Sequence, residues 1–232
     1  MIDGRIVLAL PAHEPHAERH YELDYVTRGG VAPGYVGATD LLTRTGEHTQ
    51  FAADTCIRRE GIDPATGARY LEELAFEVVN EQFLADVTQR ARDLTARGVR
   101  RVIAIFVKTN EVRDWSPTLD DWITFDPNGA IEDRTLAVPV PIRALLDRAA
   151  ANRAVVQALK AKQDPAILEI EDAGVEKGLE QGRAQMARTA IEALCDVLDL
   201  PLDADRRAHL QSLDMAGLEA LLHALRTDRR WP

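Results

Sequence analysis

The sequence has little of what would staple, anchor or electrostatically attach a protein. Only two of its 232 residues are cysteine, Cys56 and Cys195. They lie far apart with no partner at metal-ligand spacing, which excludes a disulfide framework and a cysteine-based zinc site and suits a reducing compartment. Both are expected to be buried apolar thiols. Aromatic residues make up 5% of the chain against a hydrophobic total of 46%, so the core must be assembled from Ala, Leu and Val rather than from rings. No stretch approaches the roughly 20 apolar residues that span a bilayer, and the run at residues 6–11 is interrupted too soon for the apolar region of a secretion signal. The expectation is a cytoplasmic protein with no membrane attachment. Positive charge is also short: the formal net charge is -10, which argues against gripping nucleic acid by bulk electrostatics. Gly29-Gly30 lacks the Gly-Lys-Ser/Thr ending that holds nucleotide phosphates, and no Ser or Cys sits in a recognisable nucleophile turn.

What is present suggests one α/β domain with a helical appendage. Residues 1–10 read as a strand and 12–26 as a polar helix, followed by a Gly- and Pro-rich loop. Residues 35–42 and 51–58 read as strands. Residues 74–79 are a strand, 83–97 a helix closed by Gly98 as its C′ residue, and 101–107 another strand; this order predicts a parallel pair joined by a crossover. Residues 111–115, 122–125 and 130–136 look like short outer strands, with the two tryptophans capping the sheet edge. Beyond Pro141 the composition turns Ala-, Leu- and Arg-rich, and 142–162 is helical in period. The expected divisions are 1–145, an α/β domain; 146–185, a long helical linker; and 186–232, a small helical region. In the linker Gly174, Gly178 and Gly182 recur every fourth residue on one stripe. Each costs about 1 kcal/mol in a helix, so either a second helix approaches closely there or the helix is marginal. The last part reads as short helices broken at Pro201 and at 212–214, with Asp203 and Asp214 as N-caps.

Chemistry concentrates around two acids. Glu77 stands in the middle of the apolar run Leu74-Ala75-Phe76-Glu77-Val78-Val79, of the kind buried on both sheet faces. A carboxylate there costs several kcal/mol unless it is paired with an arginine, reaches a solvated edge or binds a cation. Asp54 lies on the preceding strand in Phe51-Ala52-Ala53-Asp54-Thr55-Cys56-Ile57. If the strands are neighbours in register, both acids can share a hard, oxygen-preferring ion. Between residues 87 and 101, Arg90, Arg92, Arg97, Arg100 and Arg101 face the single acid Asp93, a basic island in an acidic chain.

An Asp on one strand, an apolar strand bearing a Glu, and a helix ending in Gly-Val before another apolar strand resemble the restriction-endonuclease-like family of the PD-(D/E)XK nuclease superfamily. The likeness is carried by Phe51-Ala52-Ala53-Asp54, Glu73-Leu74-Ala75-Phe76-Glu77-Val78-Val79, Asp86 with Arg90, and Arg97-Gly98-Val99-Arg100-Arg101-Val102, over roughly residues 5–145. The Glu-Lys-Gly-Leu-Glu-Gln-Gly repeat at 176–182 is similar to tails that follow such domains. The resemblance implies a restriction-endonuclease-like mixed sheet flanked by helices, here with a C-terminal α-helical extension. It also implies phosphodiester hydrolysis of DNA, with Mg²⁺ or Mn²⁺ held by Asp54 and Glu77. The superfamily's lysine belongs two residues after Glu77, where Val79 stands; related sequences carry it on the following helix, at the place of Arg90. Arg90 is therefore the third candidate catalytic residue, able to neutralise a phosphate but not to activate water, because its guanidinium stays protonated. A first-helix acid is common in the superfamily, and Glu18 and Glu22 are its candidates.

His16 and His20 stand four apart on the predicted first helix, close to His13, a spacing that suits metal ligands. No third ligand at suitable spacing is visible, so surface or core-edge positions are the simpler expectation. Two functions remain open. One is a Mg²⁺-dependent DNA endonuclease whose Arg90, Arg97, Arg100 and Arg101 contact phosphates. The other is a catalytically degenerate nuclease fold serving as a binding or assembly module, with a homodimer through the C-terminal helices as one form of assembly.

Overall fold

The computed structural model describes residues 13–44 and 50–232, without the side chain of Phe51. The strand expected at 1–10 and the first residue of the helix expected at 12 lie outside the described residues. The described chain forms two compact units, Met1–Asp164 and Pro165–Pro232.

The first unit is built on a six-stranded mixed sheet. In chain order its elements are helix α1 (Glu14–Gly30), strands β1 (Tyr35–Arg44), β2 (Gln50–Arg59) and β3 (Glu72–Val79), helix α2 (Leu84–Arg97), and strands β4 (Arg101–Phe106), β5 (Glu111–Ser116) and β6 (Asp121–Thr124). The sheet order follows the sequence, β1 to β6. Only β3 and β4 run parallel, with Glu77 opposite Ala104, and α2 connects them as the strand, helix, strand pattern predicts. Helix α2 stops where Gly98 adopts φ 112, a left-handed conformation that a side chain disfavours, and its N–H reaches the carbonyls of Leu94 and Thr95.

Alternation along the central strands sends side chains to two cores. Leu74, Phe76 and Val78 of β3, with Ile103 and Ile105 of β4, pack against Leu23 and Val26 of α1. Ala75 and Val102 pack instead with Ala91 and Leu94 of α2 and with Trp115. The sheet is thus covered by α1 on one face and α2 on the other, which is why β3 reads as a nearly unbroken apolar run. Trp115 and Trp122, on the last two strands, pack with tilted rings whose centroids are 5.4 Å apart, and Trp122 Nε1 donates to Thr88 of α2. Trp122 thus packs on the edge strand, as expected, while Trp115 belongs to the core beneath α2.

Two stretches depart from expectation. Residues 130–136 form only the two-residue strand β7 (Ala130–Ile131), paired with β8 (Val140–Pro141), plus a bridge from Leu136 to Val31. The helical stretch 142–162 is divided into a 3-10 turn (Ile142–Leu145) and helix α3 (Arg148–Ala161), because the Asp147 side chain accepts from the N–H of Ala150 and starts a new helix. Helix α3 packs on α1 so closely that a Cβ added to Gly29 would meet Val155 Cγ1 at 2.8 Å. The first compact unit therefore runs past residue 145 and includes α3.

The second unit comprises α4 (Pro165–Val197), α5 (Ala204–Ser212) and α6 (Met215–Asp228). Ile191, Cys195, Leu210, Leu218, Leu221 and Leu225 form its core. Asp203 and Asp214 cap α5 and α6 by accepting the N–H groups of Arg206 and Gly217. The first of the short helices expected within 186–232 is instead the C-terminal part of α4, which runs straight through the glycine stripe. No heavy atom lies within 4 Å of a Cβ placed on Gly174, Gly178 or Gly182, so the close approach of a second helix is not found among the described residues. Both cysteines are buried and unpaired. No described helix is long and apolar enough to cross a membrane.

Candidate functional site

The antiparallel ladder between β2 and β3 ends at the Thr55–Phe76 pair. One residue beyond it on each strand stand Asp54 and Glu77. Instead of a β2 carbonyl, the Val78 N–H meets Asp54 Oδ2 at 2.6 Å. Backbone N–H groups of a strand lie in the sheet plane, so this bond holds the Asp54 carboxylate in the gap where the two strands part.

Glu77 points to the α2 side. It is 3% exposed, and Arg90 Nη1, from the second turn of α2, donates to its Oε2 at 2.8 Å. The other oxygen, Oε1, is buried and has no hydrogen-bond partner among the described residues. Burial pushes the Glu77 carboxyl up from an ordinary 4.5 to about 8; Arg90 opposes the rise, while the charges of Asp54 and Asp40 add to it. The three sequence candidates therefore fall together as a bonded pair, Glu77 and Arg90, beside Asp54. The pairing with an arginine was one of the solutions that a buried glutamate required. Val79, in the lysine position, packs with Val87, Ala104 and Phe106 and offers no charge.

Asp40 is a contributor that sequence reading missed. It holds φ 51, a left-handed conformation unusual for a non-glycine residue, and β1 loses its pairing with β2 there, between Thr39–Thr55 and Leu41–Ala53. The irregularity faces Asp54 in register, and no feature of the local sequence announces it.

Neither expected first-helix acid reaches this place. Glu22 pairs with Arg148 of α3 at 2.7 Å, and Glu18 is exposed. The face of α1 turned to β2 carries His16, His20 and Asp24, at successive four-residue steps. Asp24 Oδ1 accepts the hydroxyls of Thr55 at 2.6 Å and Thr39 at 3.0 Å. His20 Nε2 donates to the backbone carbonyl of Asp54 at 2.8 Å. Ligand atoms of His16, His20 and Asp54 all lie within 4.8 Å of one another. The third group that the two histidines lacked in the sequence comes from β2. His13 stands apart, 3.7 Å from Glu81.

The basic island is used within the fold. Arg92 pairs with Asp120, Arg100 with Asp133, and Arg101 with Asp114, all at 2.6–2.7 Å, while Arg97 donates to the carbonyl of Arg44. Arg100 and Arg101 thus carry their own counter-charges, whereas Arg97 is held through Nε by a backbone carbonyl. At the C-terminal ends of β3 and β4 lies a cleft of about 220 Å³ whose lining includes Asn80, Gln82, Lys108, Thr109 and Arg113.

No family model and no curated relative matches the sequence. Among solved structures, the chain is similar to one from Anabaena variabilis described as a "putative nuclease belonging to DUF820", with a TM-score of 0.53 and 16% identity, covering 62% of this chain and 87% of that one. The similarity is one of fold: a mixed six-stranded sheet with helices on both faces, followed here by C-terminal helices, is a nuclease-like architecture.

Proposed function

We propose that this chain is a divalent-metal-dependent DNA endonuclease of the PD-(D/E)XK, restriction-endonuclease-like type, with Asp54 and Glu77 holding Mg²⁺ or Mn²⁺. The observation that carries the reading is Glu77 Oε1: a buried carboxylate oxygen without a hydrogen-bond partner costs about 1–3 kcal/mol or more when charged, and a cation relieves that cost. The donor set fits a hard ion, since Asp54 Oδ2 and Glu77 Oε2 are engaged by Val78 and Arg90 and each carboxylate has a second oxygen left to bind. An ion so held supplies Lewis-acid stabilisation to a phosphodiester and a more acidic bound water. The protein's own part is positional. The Val78 N–H fixes Asp54, and Arg90 fixes Glu77. The nuclease-like fold supports DNA as substrate.

The test is nicking of supercoiled plasmid by the purified chain with Mg²⁺, with Mn²⁺ and with chelator. Cleavage requires the metal and is abolished in Glu77→Gln and Asp54→Asn. Nicking that persists in either variant refutes the assignment.

One observation favours a second reading. Arg90 already supplies Glu77 with a counter-charge, and it cannot serve as a base. In a catalytically degenerate fold acting as a binding module, this hydrogen-bonded contact with Arg90 is the whole role of Glu77. Calorimetric titration separates the two, since the degenerate fold shows no Mg²⁺ or Mn²⁺ binding that depends on Glu77.

A further inference from the structure

The sequence His16-Ala17-Glu18-Arg19-His20 puts two imidazoles on one face of α1, and the fold sets that face against β2. The Glu that follows the first histidine in zinc-protease helices is absent, with Ala17 in its place, so the pair offers metal ligation without that general base. Two independent features prepare it. The backbone carbonyl of Asp54 can only accept, so its 2.8 Å bond fixes a proton on His20 Nε2 and leaves the ring's lone pair on Nδ1. The Val78 N–H likewise occupies Asp54 Oδ2 and leaves Oδ1. Both groups are oriented by the kind of outer partner that metal-binding side chains require.

We propose that His16, His20 and Asp54 form a second ion site, which takes Zn²⁺ or Co²⁺ in preference to Mg²⁺. Two nitrogens and one oxygen suit such ions, whereas Mg²⁺ favours an all-oxygen shell. Ligands about 2.1 Å from a tetrahedral ion are separated by roughly 3.4 Å; here one ligand atom from each of the three side chains lies within 4.8 Å of the other two. Three protein ligands leave a coordination position open, the pattern of sites that bind water or substrate rather than of closed structural sites. The site shares the Asp54 Oδ1 oxygen, as a bridging ligand, with the centre proposed above and rests on that reading in no other way.

The experiment uses the full chain and the metals alone. Calorimetric titration with Zn²⁺ is expected to show binding that survives Glu77→Gln. In His16→Ala and His20→Gln the affinity falls by more than the roughly 10–100-fold that an outer partner is worth. Should either histidine variant fold poorly, nitrogen-detected NMR of the unaltered, labelled chain answers the same question. Zn²⁺ must shift the imidazole nitrogens of His16 and His20 and leave those of His209 and His223 in place. An isotherm unchanged in both histidine variants, an isotherm abolished by Glu77→Gln, or unmoved His16 and His20 resonances overturns the proposal. Zn²⁺ binding without plasmid nicking refutes the nuclease reading alone; nicking without an imidazole response refutes this one alone.

Discussion

Replacing Glu77 by Gln should make the metal-free protein more stable at neutral and alkaline pH. Gln is close in shape to the protonated carboxyl, so the substitution removes only the ionisation. Between the unfolded value of 4.5 and the folded value of about 8, the folded chain keeps a proton that the unfolded chain has released. Raising the pH across this window therefore favours unfolding: stability is fully present below pH 4.5 and is lost progressively up to pH 8. At about 1.4 kcal/mol per unit, the loss is roughly 3 kcal/mol at pH 7 and approaches ~5 kcal/mol above pH 8. Arg90 loses a counter-charge in the variant, but its side chain is 31% exposed and water can solvate it. For a domain of this size, 1 kcal/mol corresponds to about 2–4 °C in melting temperature. Thermal unfolding followed by circular dichroism in chelator should show Glu77→Gln melting roughly 10 °C or more above the unaltered chain at pH 8, with the two curves converging towards pH 4.5. Added Mg²⁺ or Mn²⁺ should then raise the melting temperature of the unaltered chain and leave the variant unmoved. Parallel profiles across pH, or a variant that melts lower at pH 8, would refute the argument that burial governs this carboxyl.

Gly29→Ala drives a methyl group into Val155 across the α1–α3 contact, where nothing flexible can yield; overpacking of this kind costs about 1–3 kcal/mol and should appear as a lower denaturant midpoint of the first unit. Asp214→Ala removes the acceptor for the Gly217 N–H at the start of α6; a lost N-cap costs about 1 kcal/mol, measurable as reduced stability of the Pro165–Pro232 unit without change at the candidate site.

The parts of this molecule legible in its sequence are those whose causes are local. The apolar run around Glu77, the helix closed by Gly98 and the caps at Asp203 and Asp214 each state their structure within a few residues, and the structure agrees. Glu77 and Arg90 were likewise within one strand and the next helix. The other half of the site was hidden because it depends on contacts that no local pattern encodes. His16 and His20 acquire their third neighbour only when α1 is laid across β2, and Asp54 comes from 34 residues further on. Asp40 enters through a backbone irregularity with no sequence mark. The arginines of the island looked available because the acids that engage them, Asp114, Asp120 and Asp133, lie on later segments. Helix α4 crosses the division expected at 185/186 because nothing in helical periodicity marks where one helix ends and the next begins.

Helix α4 carries a cost of its own. Every residue from 172 to 183 is exposed, so this length of helix has no buried face to hold it. Its three glycines set about 3 kcal/mol against helix formation. Only backbone hydrogen bonds and contacts between successive turns oppose that sum, and an unsupported segment of this length is marginal in water. The middle of α4 is therefore where local melting starts, opening and closing while the sheet and the C-terminal leucine core stay intact.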